Sequence, residues 1–252
     1  MTQKIAFITG GSRGLGKSAA LKLAAQGIDV ILTYQSKQME ALAVVAEIKA
    51  MGRNAVALQL DVGDTSSFAA LALTLRATLE QTWQRSDFDF LVNNAGIGIH
   101  SSFAETTEAQ FDQLVNIQFK GVFFLTQALL PLITDHGRIL NVSTGLTRFA
   151  LPGFSAYAAM KGAIEVLTKY LAKELGARSI AVNVVAPGAI ETDFGGGSVR
   201  DNAQLNSYVA TQTAFGRAGL PDDIGGAIAA LLSDGSSWIN AQRIEASGGM
   251  FI

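Results

Sequence analysis

The chain has 252 residues, of which 49% are hydrophobic and 16% charged, and its formal net charge is -2. That length fits one large α/β domain with a substantial core. The chain has no long run of Lys or Arg, which excludes the basic surface typical of nucleic-acid-binding proteins. The lack of cysteine excludes disulfides, thiolate metal sites and cysteine nucleophiles, and with only two histidines we expect no metal site.

The apolar segments of the chain are short. The first residues (MTQKIAFITGG) lack the apolar length and the small-residue cleavage site of a signal peptide. Gly, Thr, Gln or charged residues interrupt every apolar run before it reaches membrane-spanning length. We therefore expect no membrane association and a cytoplasmic location.

Short β-branched runs alternate with stretches of helical periodicity along the whole chain. The strands are predicted, in chain order, at residues 4–9, 27–34, 55–60, 88–92, 137–142, 180–185 and 243–246. The helices are predicted at residues 14–26, 38–51, 107–130, 157–175 and 222–232. Apolar strands separated by helices are typical of a parallel sheet covered on both faces. We predict an α/β fold over residues 1–252, a single-domain doubly wound Rossmann fold with a mostly seven-stranded parallel sheet flanked by helices.

A glycine-rich turn (TGGSRGLG, residues 9–16) lies between the first predicted strand and the first predicted helix. Glycines let the backbone approach a pyrophosphate, and a helix N-terminus favours the anion. The turn therefore predicts dinucleotide binding, although glycines in another context make ordinary turns. The expected contact residues are Gly10, Ser12, Arg13, Gly14, Leu15 and Gly16.

The end of the second predicted strand bears on the choice of cofactor. It reads LTYQS (residues 32–36), without the acid that typically holds the ribose 2′-hydroxyl of NAD. Arg13 is placed to pair with a 2′-phosphate, with Ser36 or Lys37 nearby, so NADP(H) is predicted in preference to NAD(H). Tyr34 is also expected among the cofactor contacts. The alternative is that Arg13 and Lys37 are solvated surface charges.

Asp61 and Val62 follow the third predicted strand. Asp61 is placed to accept a hydrogen bond from an adenine amino group, and Val62 to flank the ring. Capping of the next helix is an alternative role for Asp61, because Asp is a preferred capping residue.

Tyr157 and Lys161 are four residues apart and therefore on one face of the predicted helix. A phenol with a pKa of about 10 exchanges protons poorly at neutral pH, and a neighbouring cation lowers that pKa. The pair therefore predicts a general acid/base. A partly buried Tyr beside a solvated Lys is the alternative.

Two further polar residues fit the same site. Ser143 follows the strand at 137–142, so its hydroxyl would project at the carboxyl edge of the sheet and donate to a carbonyl oxygen. Thr144 is a possible substitute donor, and a local turn is the alternative for both. Asn116 interrupts an apolar helical stretch, where it could break a backbone hydrogen bond and hold a water linked to Lys161.

Together these residues resemble the short-chain dehydrogenase/reductase family, in its compact single-domain branch. The matching segments, in the family's order, are residues 9–16, 93–96 (NNAG), Asn116, Ser143, 157–161 (YAAMK) and 187–192 (PGAIET). The opening strand and glycine turn, residues 184–188 (VVAPG) and residues 247–250 (SGGM) resemble 3-oxoacyl-carrier-protein reductases in particular.

The resemblance implies a role for each matching position. Tyr157 would be the general acid/base, Lys161 would lower its pKa and bind the nicotinamide ribose, Ser143 would orient the carbonyl and Asn116 would hold the relay water. Asn93, Ala95 and Gly96 would line the adenosine ribose and stabilise the central strands. The residues expected at the nicotinamide end are Pro187, Gly188, Ile190 and Thr192.

The implied activity is that of an NADP(H)-dependent oxidoreductase that interconverts a ketone and a secondary alcohol by hydride transfer, without a metal. A 3-oxoacyl-carrier-protein reductase of fatty-acid synthesis is the narrower alternative. A non-catalytic nucleotide-binding sensor is the alternative of another class, against which the retained catalytic residues argue. The resemblance also implies a homotetramer, and a mobile substrate flap is expected at residues 194–213.

Overall fold

The computed structural model describes residues 3–252. Seven parallel strands form one sheet in the order β3-β2-β1-β4-β5-β6-β7. The strands are β1 (Ile5–Ile8), β2 (Asp29–Tyr34), β3 (Ala55–Gln59), β4 (Phe88–Asn93), β5 (Ile133–Val142), β6 (Ala181–Pro187) and β7 (Arg243–Ala246). The doubly wound prediction is therefore confirmed. The strand order reverses between β1 and β4, and ligands bind at such a switch point.

Nine α-helices connect or follow the strands within residues 3–252. They are α1 (Gly14–Ala25), α2 (Gln38–Ala50), α3 (Phe68–Trp83), α4 (Glu108–Leu114), α5 (Gly121–Leu129), α6 (Ser155–Glu174), α7 (Ser198–Asp201), α8 (Ala203–Thr211) and α9 (Pro221–Leu231). The sequence prediction omits α3, although Leu71, Leu75 and Leu79 recur every four residues there and are buried. The helix predicted at 107–130 is divided, because a π-helical turn separates α4 from α5.

The core forms one layer on each face of the sheet. Along β1, Ala6 and Ile8 pack into the layer that contains α1, α2 and α9. Ile5 and Phe7 pack into the opposite layer, with residues of α3, α5 and α6. Because both faces are buried, the strand reads as a continuous apolar run, as the sequence predicts.

Helices α1 and α9 approach closely through small residues. A Cβ built on Gly225 of α9 would lie 2.8 Å from the carbonyl carbon of Ser18, which is on α1. The Ser18 hydroxyl donates a hydrogen bond to Asp222 Oδ1 at 2.7 Å. The contact fixes the helix that begins at the glycine turn.

The expected flap is largely helical. Residues 194–197 form a short 3-10 turn in which Gly195, Gly196 and Gly197 all have positive φ, and α7 and α8 follow.

Over residues 3–252, no helix combines the length and the apolar character needed to cross a bilayer.

Candidate active site

The glycine turn is folded so tightly that its own backbone atoms lie close together. A Cβ on Gly16 would clash with the carbonyl oxygen of Gly10 and would lie 2.6 Å from the Asn94 side-chain nitrogen. Gly10 and Gly14 have φ of +67° and +55°, a region that glycine adopts without strain. The turn leads directly into the N-terminus of α1, so the cradle fits the pyrophosphate of a dinucleotide.

Asn94 holds the glycine turn against the end of β4. Its side-chain nitrogen donates to the carbonyl oxygens of Thr9 and Gly10 at 2.8 and 3.1 Å. The Thr9 hydroxyl in turn accepts from the backbone N–H groups of Asn94 and Ala95, both at 2.9 Å. The sequence prediction assigns no role to Asn94, although its position in a polar pair after a buried strand is a usable signal.

The amide of Asn93 lies inside the sheet. Its nitrogen donates to Asn141 at 2.8 Å and to Thr126 at 3.0 Å, and Asn141 donates to Thr168 at 2.9 Å. All four residues are buried. The amide therefore joins β4 and β5 to α5 and α6.

The residues expected at the adenosine end lie at the edge of the sheet near β2 and β3. Tyr34 and Val62 are half-buried, and Ser36 and Asp61 are exposed. The Asp61 carboxylate accepts from the Gln35 side chain and from the Gly63 N–H, both at 2.8 Å. In this structure Asp61 thus stabilises the turn that follows β3.

Arg13 pairs with Asp193, the residue just before the expected flap. Its guanidinium lies 3.5 Å from Asp193 Oδ2, and both side chains are about half exposed. Arg200 also pairs with Asp193. The hydrogen bond from Arg200 and the nearby charge of Arg13 hold the pKa of Asp193 below its ordinary value, so Asp193 is anionic at neutral pH.

Tyr157 and Lys161 lie on one face of α6 and are both buried, at 6% and 5% exposure. The Lys161 ammonium donates to the carbonyl oxygen of Val142 at 2.8 Å, so the helix is tied to the end of β5. The same nitrogen lies 5.8 Å from the centroid of the Tyr157 ring. The structure thus brings the predicted pair together at the carboxyl edge of the sheet.

The pKa of Tyr157 departs from its ordinary value in the direction opposite to the sequence prediction. Burial raises the pKa of Tyr157, and an interaction with the Thr144 side chain only partly opposes that rise. Burial also lowers the pKa of Lys161, to about 7. Desolvation disfavours the charged forms of both groups and is the largest cause of both pKa shifts.

The two hydroxyls at the end of β5 have different partners. The Ser143 hydroxyl donates to Glu165 Oε1 at 2.7 Å. The Thr144 side chain is the one that interacts with the Tyr157 phenol. The Ser143 hydroxyl is therefore engaged by Glu165, whereas the Thr144 side chain is close enough to the phenol to lower its pKa.

Asn116 lies in the π-helical turn, Val115–Lys120. A π-helical turn inserts an extra residue into the helix and is frequent at functional sites. The π-helical turn interrupts the regular helical hydrogen bonding, as the sequence predicts at Asn116. Asn116 itself is half-buried.

The segment after β6 places an aromatic ring beside Tyr157. The ring of Phe194 lies 5.7 Å from the ring of Tyr157, and a Cβ on Gly98 would be 2.6 Å from the Phe194 ring. The Thr192 hydroxyl accepts from the Phe194 N–H at 3.2 Å. Of the other residues expected at the nicotinamide end, Pro187 ends β6, and Gly188 and Ile190 lie between β6 and Thr192.

The family described as enoyl-(acyl carrier protein) reductase matches residues 10–251 of this chain. A 3-oxoacyl-[acyl-carrier-protein] reductase, FabG, of Staphylococcus aureus is 36% identical over 251 residues, covering 99% of this chain and 98% of the relative. The chain belongs to the short-chain dehydrogenase/reductase family. The family resemblance seen in the sequence is thereby confirmed.

Two solved reductases of this family have the same fold throughout. The promiscuous reductase LugOII, described as catalysing keto-reduction at C1 in lugdunomycin biosynthesis, superimposes with a TM-score of 0.94. It is 35% identical and covers 100% of this chain and 99% of its own. The angucycline C-6 ketoreductase LanV, solved with bound NADP, has a TM-score of 0.94 at 33% identity, covering 99% of this chain and 96% of its own.

Proposed function

We propose that this short-chain dehydrogenase/reductase is an NADP(H)-dependent ketoreductase, which interconverts a ketone and a secondary alcohol. The observation that carries the proposal is the buried pair Tyr157 and Lys161, with the half-buried Thr144 beside it, at the carboxyl edge of the sheet near the glycine turn. The similarity to the ketoreductases LugOII and LanV supports the same reaction class.

The residues around the cradle fit NADP(H). Gly10, Gly14 and Gly16 would receive the pyrophosphate at the N-terminus of α1, and Arg13 would receive the 2′-phosphate. The bound NADP of LanV supports this choice. The other proposed contacts are Ser12, Leu15, Tyr34, Ser36, Asp61, Val62, Asn93, Ala95, Gly96, Tyr157, Lys161, Pro187, Gly188, Ile190 and Thr192. When bound, the cofactor supplies the hydride.

The protein's own residues would position the carbonyl and move the proton. Tyr157, kept neutral by burial, would give its proton to the carbonyl oxygen in the reductive direction. Thr144 would donate a hydrogen bond to the same oxygen, a role that the sequence assigned to Ser143. Lys161, with a pKa of about 7, would return a proton to Tyr157 at neutral pH, through a water held at Asn116.

The first test is fluorescence titration with NADPH and NADH, together with turnover of bulky apolar ketones. We expect tighter binding of NADPH and turnover that is lost in Tyr157→Phe while NADPH binding persists. Tight NADPH binding by the wild type without turnover of any ketone or acyl thioester would favour the non-catalytic sensor and refute the proposal.

A 3-oxoacyl-carrier-protein reductase is a second candidate, favoured by the similarity to the Staphylococcus aureus enzyme along nearly the whole chain. An acidic carrier protein would need a basic docking surface. Residues 130–137 contain no Lys or Arg, and Arg178 beside them is paired with Asp135. Adding excess carrier protein with acyl thioester substrates distinguishes the two candidates, because only a carrier-dependent reductase would prefer the protein-bound substrate.

We also propose a homotetramer, since apolar side chains are exposed on α5 and α6. Phe123, Phe124, Val166 and Tyr170 are between 39% and 65% exposed. Exposed apolar patches of this kind mark association surfaces. Size-exclusion chromatography with light scattering tests this, and a monomer at micromolar concentration would refute it. A cytoplasmic location stays a prediction from the sequence.

A further inference from the structure

A largely buried carboxylate lies on the catalytic face of α6 and takes no part in the proton transfer proposed above. Glu165 follows Tyr157 and Lys161 at four-residue intervals, so the three side chains share one helix face. Its side chain is 18% exposed. A carboxylate that is largely removed from water requires several hydrogen-bond partners, since burying an unpaired charge is costly.

The partners of Glu165 come from two separate segments. Its Oε1 atom accepts hydrogen bonds from the hydroxyls of Ser143 and Thr147, both at 2.7 Å. It also accepts from Arg243 Nε, on β7, at 2.8 Å. Ser143 and Thr147 flank the short turn that contains Thr144, so Glu165 binds that turn at both ends.

Arg243 binds the same turn at its backbone. Its Nη2 atom donates to the carbonyl oxygen of Thr144 and to the Thr147 hydroxyl, both at 3.1 Å. Its Nη1 atom donates to Glu245 at 2.6 Å, which offsets the buried charge. A guanidinium supplies these donors in a fixed planar arrangement, which an ammonium cannot reproduce.

We infer that Glu165 and Arg243 are positioning residues, which hold the Thr144 turn at the distance from Tyr157 that the reaction needs. The inference rests on the proposed ketoreductase function. Residues 143 and 147 are held through their side chains. Residue 144 is held through its carbonyl and through its hydroxyl, which accepts from the Leu146 N–H at 3.3 Å, so the Thr144 hydroxyl has little freedom to move. Misplacement of a reacting group by about 1 Å costs on the order of 100-fold in rate.

The test compares kcat, KM and NADPH affinity in variants of the two residues. For Glu165→Ala we expect kcat to fall about 10- to 100-fold, with the Kd for NADPH unchanged by fluorescence titration. Glu165→Gln keeps an acceptor oxygen and should recover most of the loss. Arg243→Lys should itself lower kcat, because the lysine cannot bind Thr144, Thr147 and Glu165 together. Glu174→Gln, an exposed position near the end of the same helix, is the matched control.

A folded Glu165→Ala protein with wild-type kcat would overturn the inference, as would a parallel loss of kcat and NADPH affinity. If Glu165→Ala does not fold, Thr147→Val replaces it, since valine keeps the side-chain shape and removes one bond to Glu165. A loss of several-fold in kcat is then expected, and an unchanged kcat refutes the inference. A wild type that turns over no ketone refutes the ketoreductase function instead.

Discussion

The ring of Phe194 packs against the ring of Tyr157 with their centroids 5.7 Å apart. A bulky substrate must therefore either displace Phe194 or pack against it. The glycines at 195–197 adopt positive φ and carry no side chain that would anchor the turn, so the proposed movement of residues 194–213 would begin there.

Replacing Phe194 by Ala is expected to raise KM for a bulky apolar ketone several-fold and to leave kcat within a factor of about two, because binding loses apolar contact area. Steady-state kinetics measure both constants. Phe215→Ala removes an exposed phenylalanine beyond α8 and serves as the control. A fall in kcat at unchanged KM would show that Phe194 supports the transition state rather than substrate binding.

Mutations distinguish the roles of the Ser143 and Thr144 hydroxyls at the end of β5. Thr144→Ala should lower kcat about 100-fold, the cost typical of removing one donor to a developing oxyanion. Ser143→Ala removes one of three hydrogen bonds to Glu165 and should cost only a few-fold. The opposite ranking would restore Ser143 as the donor to the carbonyl oxygen.

Lys161 should determine a limb of the pH–rate profile. Its pKa is lowered to about 7, so the ammonium form is lost as pH rises through 7. We expect kcat/KM for NADPH, which reports the free enzyme, to fall above about pH 7 in the reductive direction. Arginine stays protonated, so the residual activity of Lys161→Arg should lack this limb. The same limb in Lys161→Arg would assign the ionisation to another group.

In the proposed function, Arg13 leaves its ion pair with Asp193 and binds the 2′-phosphate of NADP(H). Arg13→Ala should weaken NADPH binding about tenfold or more, because a charge-assisted hydrogen bond is lost, and should leave NADH binding unchanged. Fluorescence titration with both nucleotides provides the measurement. Lys22→Ala, farther along α1, is the control. Equal weakening for NADH would contradict a role at the 2′-phosphate.

The contact between α1 and α9 predicts opposite effects at neighbouring glycines. Gly225→Ala introduces a methyl group against Ser18 and should destabilise the fold by about 1–3 kcal/mol. Gly226→Ala meets no atom within 4 Å and should stabilise it by up to about 1 kcal/mol, through higher helix propensity. Urea unfolding compares the two, and similar free energies of unfolding would contradict the packing described.

Local patterns were sufficient to predict the sheet. Strands β1, β2, β4 and β6 are short, mostly apolar runs that are buried almost throughout, and β7, which is half-buried, begins and ends at the predicted residues. The glycine turn was also identifiable, because its position between a strand and a helix restricts what the glycines can do. Helix α3 was not predicted, although the four-residue spacing of its buried leucines is visible in the sequence.

The direction of individual side chains in the site was not predictable in the same way. The choice between Ser143 and Thr144 depends on Glu165, which is 22 residues farther along the chain. The pKa of Tyr157 depends on how completely α6 and the Phe194 segment remove water from the phenol. The π-helical turn at Asn116 likewise depends on tertiary packing, since Gly121 lies against the carbonyl of Val62.

The last residues of the chain are connected to the Thr144 turn through charged side chains. Arg148 donates to the carbonyl oxygens of Met250 and Phe251 and pairs with Glu245, and Glu245 pairs with Arg243. The ring of Phe251 packs on Phe149 at 4.6 Å. A substitution at Phe251 would therefore be transmitted through Arg148 and Glu245 to the Thr144 turn, and we expect it to lower the turnover of the proposed ketoreductase.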